Sequence, residues 1–147
     1  MNKMEQTTNT AKALPFLLLI YGIASLVHFI HNAEFLRDYP GLPATWTRAG
    51  VYGAWIGVTA VGIAGWLLAR GRYPVAGLLL VCVYAALGMD SLGHYVVAPM
   101  GAHSTMMNVT ILLEVSAAAA VLIVATMLIA GHVVRYRQRR LASARNS

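Results

Sequence analysis

His28, His31 and Glu34 recur at three-residue intervals, and Asp90 and His94 lie four residues apart. On a helix, partners three or four apart share a face. Imidazole with carboxylate is a ligand set for zinc, iron, manganese or copper. His103 and Glu114 add a further imidazole and a further acid. Both His28 and His94 sit in apolar stretches, where ionisable groups are costly and mark protein interiors or function. Around His94 the chain repeats the pattern around His28: Gly22, Ser25 and Leu26 align with Gly88, Ser91 and Leu92. Phe29 then meets Tyr95, and Ile30 meets Val96.

Several chemistries follow from these residue types. In the first, His28, His31, Asp90, His94 and His103 are candidate ligands of a divalent transition metal (Zn, Fe, Cu or Mn). Glu114 is then a candidate base or a support for the ligands, with Glu34, Ser91 and Asn108 as supporting groups. Such a metal can activate water for hydrolysis or support redox chemistry on a small or lipid-like substrate. Met100, Met106 and Met107 beside His103 add a weak preference for copper(I). In the second, His28 and His94 are the axial ligands of a b-type haem in an electron carrier. In the third, a metal-free pocket of acids and histidines acts on a lipid or relays protons. In the fourth, the chain is a non-catalytic membrane subunit whose polar groups fix helix register. The sequence contains no HExxH, so no ordered catalytic motif selects a reaction.

Each residue also has a plainer reading. A lone buried histidine is commonly a hydrogen-bonded structural group, and Asp90 with His94 can be a neutralised pair. Glu34, Arg37 and Asp38 read as a solvated, salt-bridged loop. The acids at depth carry the functional argument. No Lys or Arg shares the stretch with Asp90 and Glu114, so either the acids are protonated or a cation sits among them.

The elements that must position these groups are membrane helices. Hydrophobic residues make up 59% of the 147 and charged residues 11%, a balance that excludes an ordinary soluble domain. Four apolar runs, about 14–33, 49–69, 73–97 and 107–134, each reach the roughly 20 residues that span a bilayer. The expected fold is an all-α integral membrane protein, a four-transmembrane-helix bundle that the repeat divides into two helical hairpins. Residues 1–13 form an N-terminal tail, 14–134 the helical domain, and 135–147 a basic C-terminal tail. Pro15 is expected at a helix start, where its missing N–H does no harm.

Lys3, Lys12, Arg70, Arg72 and the five arginines from Arg135 to Arg145 fall on one side of this layout, against Arg37 and Arg48 on the other. The positive-inside rule then places both termini in the cytoplasm, in a bacterial-type inner (plasma) membrane, with the histidines near the outer face. The net charge of +6 is thus an orientation signal that meets anionic lipid headgroups, and no nucleic acid is implied. The expected partners are the lipid bilayer, a small-molecule or lipid substrate, and a homo-oligomer or larger membrane complex. Cys82 is the only cysteine, which excludes an intramolecular disulfide. Pro40-Gly41 suits a type II turn. Gly53 and Gly57, with Gly65 two turns on, form a ridge for close helix packing.

Overall fold

The computed structural model describes residues 3–145 and, among them, only helices, turns and connections. The helices are α1 (Lys3–Glu34), α2 (Arg48–Arg70), α3 (Pro74–Met89), α4 (Gly93–Val97) and α5 (Thr105–Arg145). Short 3-10 turns cover Asp90–Leu92 and Met100–Ala102. Four stretches are long and apolar enough to cross a membrane: α1 from Lys12, α2, the run Pro74–Val97, and α5. Large apolar side chains such as Phe16, Leu19, Ile56, Leu79 and Leu113 are exposed around the bundle. A hydrocarbon solvent accounts for so much exposed apolar surface, which a soluble monomer rarely carries.

The helices depart from the expected boundaries in three places. Helix α1 begins at Lys3, well before Leu14, so Pro15 lies inside it rather than at its start. Lys, Met, Glu and Gln are good helix formers and extend it beyond the apolar stretch. Helix α5 runs on through Arg145. At 1.5 Å per residue it is roughly 60 Å long, about twice a bilayer core, so the arginine-rich end must protrude as helix. The run 73–97 is not one α-helix but breaks at Asp90–Leu92. Asp, Ser and Gly there are poor interior helix residues, because short polar side chains compete for backbone groups and Gly adds flexibility.

Local signals fix the ends of α2 and α3. The Thr47 hydroxyl accepts a hydrogen bond from the Gly50 amide at 3.0 Å, capping α2. Pro74 opens α3, where its fixed φ suits a first helical position. Gly41 has φ 73°, the value a type II turn demands after Pro40.

The bundle interior is built from one stripe per helix. On α5 the buried positions are Met107, Thr110, Ile111, Glu114, Ala118, Val121, Ala125 and Leu128, a three-and-four spacing. On α1 the described buried positions are Leu14, Tyr21, Ser25, His28, Asn32 and Ala33. Leu78, Val81, Tyr84 and Ala85 of α3 join the apolar core. Both long stripes change from apolar to polar toward the same end of the bundle, called here the histidine end. The opposite end carries Arg70 and Arg72.

Small residues let backbones meet, but not the ones the sequence singled out. A methyl group on Gly53 or Gly57 would meet nothing within 4 Å, so their ridge faces away from this bundle. Of the expected ridge only Gly65 packs, against the backbone of Gly77 and Val81. Gly88 lies under Tyr21, whose hydroxyl donates to the Tyr84 carbonyl at 2.9 Å. Helix α1 packs more extensively on α5 than on α2, which leaves a groove on the α2 side.

Candidate functional site

The polar ends of the stripes meet between α1, α5 and the broken segment after α3. His28 is 1% exposed and Glu114 0%, with Ser25 and Thr110 buried beside them. His28 Nδ1 lies 3.3 Å from Thr110 Oγ1, and that hydroxyl donates its own proton to the Met107 carbonyl at 3.0 Å. The oxygen therefore offers His28 only a lone pair, so Nδ1 carries the hydrogen and Nε2 is bare. Consistent with this tautomer, the Asn32 amide nitrogen donates to His28 Nε2 at 2.9 Å. It also lies 3.5 Å from His94 Nε2.

Glu114 approaches the same bare nitrogen. Its Oε2 stands 3.7 Å from His28 Nε2 and accepts a hydrogen bond from Ser91 Oγ at 2.6 Å. Its Oε1, Ser25 Oγ and Asn32 Oδ1 are buried without a well-formed hydrogen bond. A carboxylate oxygen and an imidazole lone pair repel unless positive charge lies between them. Among the described residues, no lysine or arginine is paired with Glu114; Arg48 pairs with Glu34 instead.

His94 and His103 extend the imidazole row. The His28 and His94 ring centroids are 5.5 Å apart, and those of His94 and His103 are 6.1 Å apart. His103 Nδ1 donates to the Pro99 carbonyl at 3.1 Å, leaving its buried Nε2 as a lone pair without a partner. Asn108 supports this connection. Its amide nitrogen donates to the carbonyls of Met100 and His103, and its oxygen accepts from the Tyr95 hydroxyl at 2.9 Å.

Three of the candidate residues lie outside this row. Asp90 is exposed at the rim of a pocket of about 310 Å³ that His28, Asn32, Ser91 and His94 also line. A 3-10 turn begins at Asp90, and Asp90 and His94 still line one pocket. His31 lies off the buried stripe, stacked on Phe35 with centroids 4.7 Å apart. Its Nδ1 meets the Tyr39 hydroxyl at 2.8 Å, and Tyr39 in turn packs on His94 with centroids 5.0 Å apart. Glu34 is engaged elsewhere: it pairs with Arg48 and accepts from the Tyr52 hydroxyl at 2.8 Å, tying the end of α1 to α2.

The residues that sequence reasoning passed over are Asn32, Thr110 and Tyr39, while Ser25 entered only through the repeat. Asn32 is four residues from His28 and Thr110 four from Glu114, so helical spacing was available as a signal for both. Tyr39 carried no such signal. It lies in the connection after α1 and is buried by the packing of that loop, where Gly41 sits against Val97. Burial pushes the Tyr39 hydroxyl up to about 12, so it keeps its proton at neutral pH.

The donor set offers bare imidazole nitrogens, a carboxylate, and ring N–H groups tied to oxygen acceptors. That last feature is the orienting arrangement metal-bound histidines use. Among the described residues, no three His, Cys, Asp or Glu side chains converge closely enough to hold an ion as they stand. Asn32 fills the space between the His28 and His94 nitrogens, where a haem macrocycle would also have to lie. No family of known proteins matches the chain, and neither does any curated protein or solved structure. The functional reading therefore rests on this geometry.

Proposed function

We propose that this integral membrane protein binds a divalent transition metal at its histidine end, with His28 and Glu114 as the first two ligands and His94 as the third. The observation that carries the reading is the 3.7 Å gap between His28 Nε2 and Glu114 Oε2. It is too long for a hydrogen bond, whose usual range ends near 3.2 Å. Two ligand atoms each about 2.0–2.1 Å from one ion, at a near-tetrahedral angle, stand roughly 3.4 Å apart. Two imidazoles on one such ion place their ring centres roughly 5 Å apart by the same geometry. The 5.5 Å between His28 and His94 is close to that value. Asn32 must swing aside for His94 to join, and its amide nitrogen is a weak substitute for a cation between two lone pairs.

When bound, the metal supplies a Lewis acid or redox centre in a pocket of about 310 Å³. The chain's own residues hold the imidazole tautomers, exclude water around Glu114 and line the approach past Asp90. His103 is the candidate fourth ligand, and His31 holds Tyr39. The basic asymmetry supports an orientation with both termini in the cytoplasm and the histidine end at the outer face of an inner membrane. The pairing of His28 with His94 supports reading the chain as two repeated hairpins. Metal analysis of protein purified without chelator, followed by titration with zinc, copper, iron and manganese, tests the proposal. One bound ion that His94→Ala loses and His132→Ala keeps is the expected result.

A second reading is favoured by the failure of three ligand side chains to converge. In it, a proton in place of a metal satisfies His28 and Glu114, and the pair works as an acid–base relay with Ser91. Protein that takes up none of the four metals supports that reading instead.

A further inference from the structure

The pocket of about 310 Å³ at the histidine end has one acid in its wall, Asp90, and no Lys or Arg. Arg48, two residues after Trp46, is taken up by Glu34. Among the described residues, the Asp90 carboxylate has no ion-pair partner. Asp90 belongs to the apolar stretch Pro74–Val97, where an unpaired charge is costly and marks function. It is also exposed, so a ligand can reach it, whereas His28 and Glu114 are closed off in the bundle interior. His94, which lines the same pocket, lies within electrostatic reach of it.

The rest of the wall suits one kind of occupant. Trp46, 44% exposed, and Phe29 line the pocket, and aromatic faces attract ammonium groups. Leu36, Leu42, Val51 and Leu87 add an apolar surface for an alkyl chain. A hydroxyl head would leave the Asp90 charge uncompensated, and a carboxylate or phosphate head would be repelled by it. A primary ammonium pairs with the carboxylate and donates charge-assisted hydrogen bonds to it.

We propose that the pocket at the histidine end binds an amphiphile with an ammonium head group, with Asp90 as its counter-ion and Trp46 packed on the head. The alkyl chain lies along Leu36, Leu42 and Val51. This names a substrate class for the proposed metal site and rests on that site only for what happens to the bound molecule. The ammonium sits at the exposed rim and the metal in the buried gap between His28 and Glu114, so the two positive charges keep apart.

The test titrates the full chain in maltoside micelles with octylammonium at pH 7, by calorimetry, with the heats into empty micelles subtracted. Octylammonium is expected to bind at least about tenfold more tightly than octan-1-ol, which has the same chain and a neutral head. Octanoate should not bind. Asp90→Asn should abolish the preference and Asp90→Glu should keep it. Asp38 is an exposed acid that does not line the pocket, so Asp38→Asn should leave the preference unchanged. Trp46→Leu should weaken octylammonium binding about two- to fivefold, and Trp46→Phe less. That pair of variants carries the test should Asp90→Asn not fold. Equal affinity for octylammonium and octan-1-ol overturns the proposal. So does a preference that Asp90→Asn retains or Asp38→Asn also loses. Ethylammonium binding as tightly as octylammonium points to a free amine and overturns the amphiphile. Metal content measured on the same preparations separates the two readings. A metal-loaded protein without ammonium preference rejects the ammonium proposal alone, and a metal-free protein with an Asp90-dependent preference rejects the metal alone.

Discussion

His28 Nε2 and Glu114 Oε2 face each other across 3.7 Å at almost complete burial, one a lone pair and the other a carboxylate oxygen. Thr110 fixes the first and Ser91 holds the second. Neither can move away, because both belong to interior stripes that pack along the length of α1 and α5. A positive charge between them, a metal's or a proton's, resolves the contact.

Glu114→Gln replaces the carboxylate by a neutral group of the same shape. The variant is expected to fold, since it buries no new charge, and to bind zinc at least tenfold more weakly than the parent. Isothermal titration with zinc, alongside helicity by circular dichroism, checks both halves.

Thr110→Val removes the acceptor that holds His28 Nδ1–H. The ring then loses its fixed tautomer and orientation. Losing such an orienting partner typically lowers metal affinity by about 10- to 100-fold. Helix content should stay unchanged, and Thr110→Ser should restore most of the affinity.

Metal binding should weaken as pH falls. A proton and a metal compete for the same imidazole nitrogen, so each proton displaced on binding weakens the apparent affinity about tenfold per pH unit once the histidines titrate. Zinc titrations at stepped pH give this slope. In the metal-free reading no such competition exists, and a flat profile together with absent uptake favours that reading.

Gly88→Ala should destabilise the bundle, because a methyl group there would stand 2.1 Å from the Tyr21 hydroxyl. Overpacking of this kind costs about 1–3 kcal/mol. Gly53→Ala, with nothing within 4 Å of the new methyl, should be neutral within about 0.5 kcal/mol. Thermal unfolding of both variants in one detergent makes the comparison. Equal melting temperatures would show that α1 and α3 do not meet at Gly88.

The orientation has its own test. Reporter fusions after Arg72 and after Ala102 should report opposite sides of the membrane, with Arg72 cytoplasmic. Two fusions on the same side would be incompatible with four crossings and with a histidine end in one leaflet.

Four helices long and apolar enough to cross a membrane were legible in the sequence, because bilayer thickness demands about 20 apolar residues per span, and that requirement acts on composition alone. That His28, His94 and Glu114 lie toward one end of the bundle was legible for the same reason: position along a helix is counted along one chain. Which of them touch was not. Contact depends on how each helix is rotated about its axis, and that is set by the apolar stripes of neighbouring helices meeting one another. Thus His28 and Glu114 fall on buried stripes, while His31, only three residues from His28, falls beside the stripe and turns to Tyr39. Asp90 is exposed at the pocket rim where the helix tightens into a 3-10 turn, and it still lines the pocket that His94 lines. The partners of His28 and Glu114 are Thr110, Asn32 and Ser91, short polar side chains of the kind found at any helix end, and of these the sequence singled out Ser91 alone. Only packing that brings α1, α5 and the broken segment together within hydrogen-bond reach decided that these three orient the site.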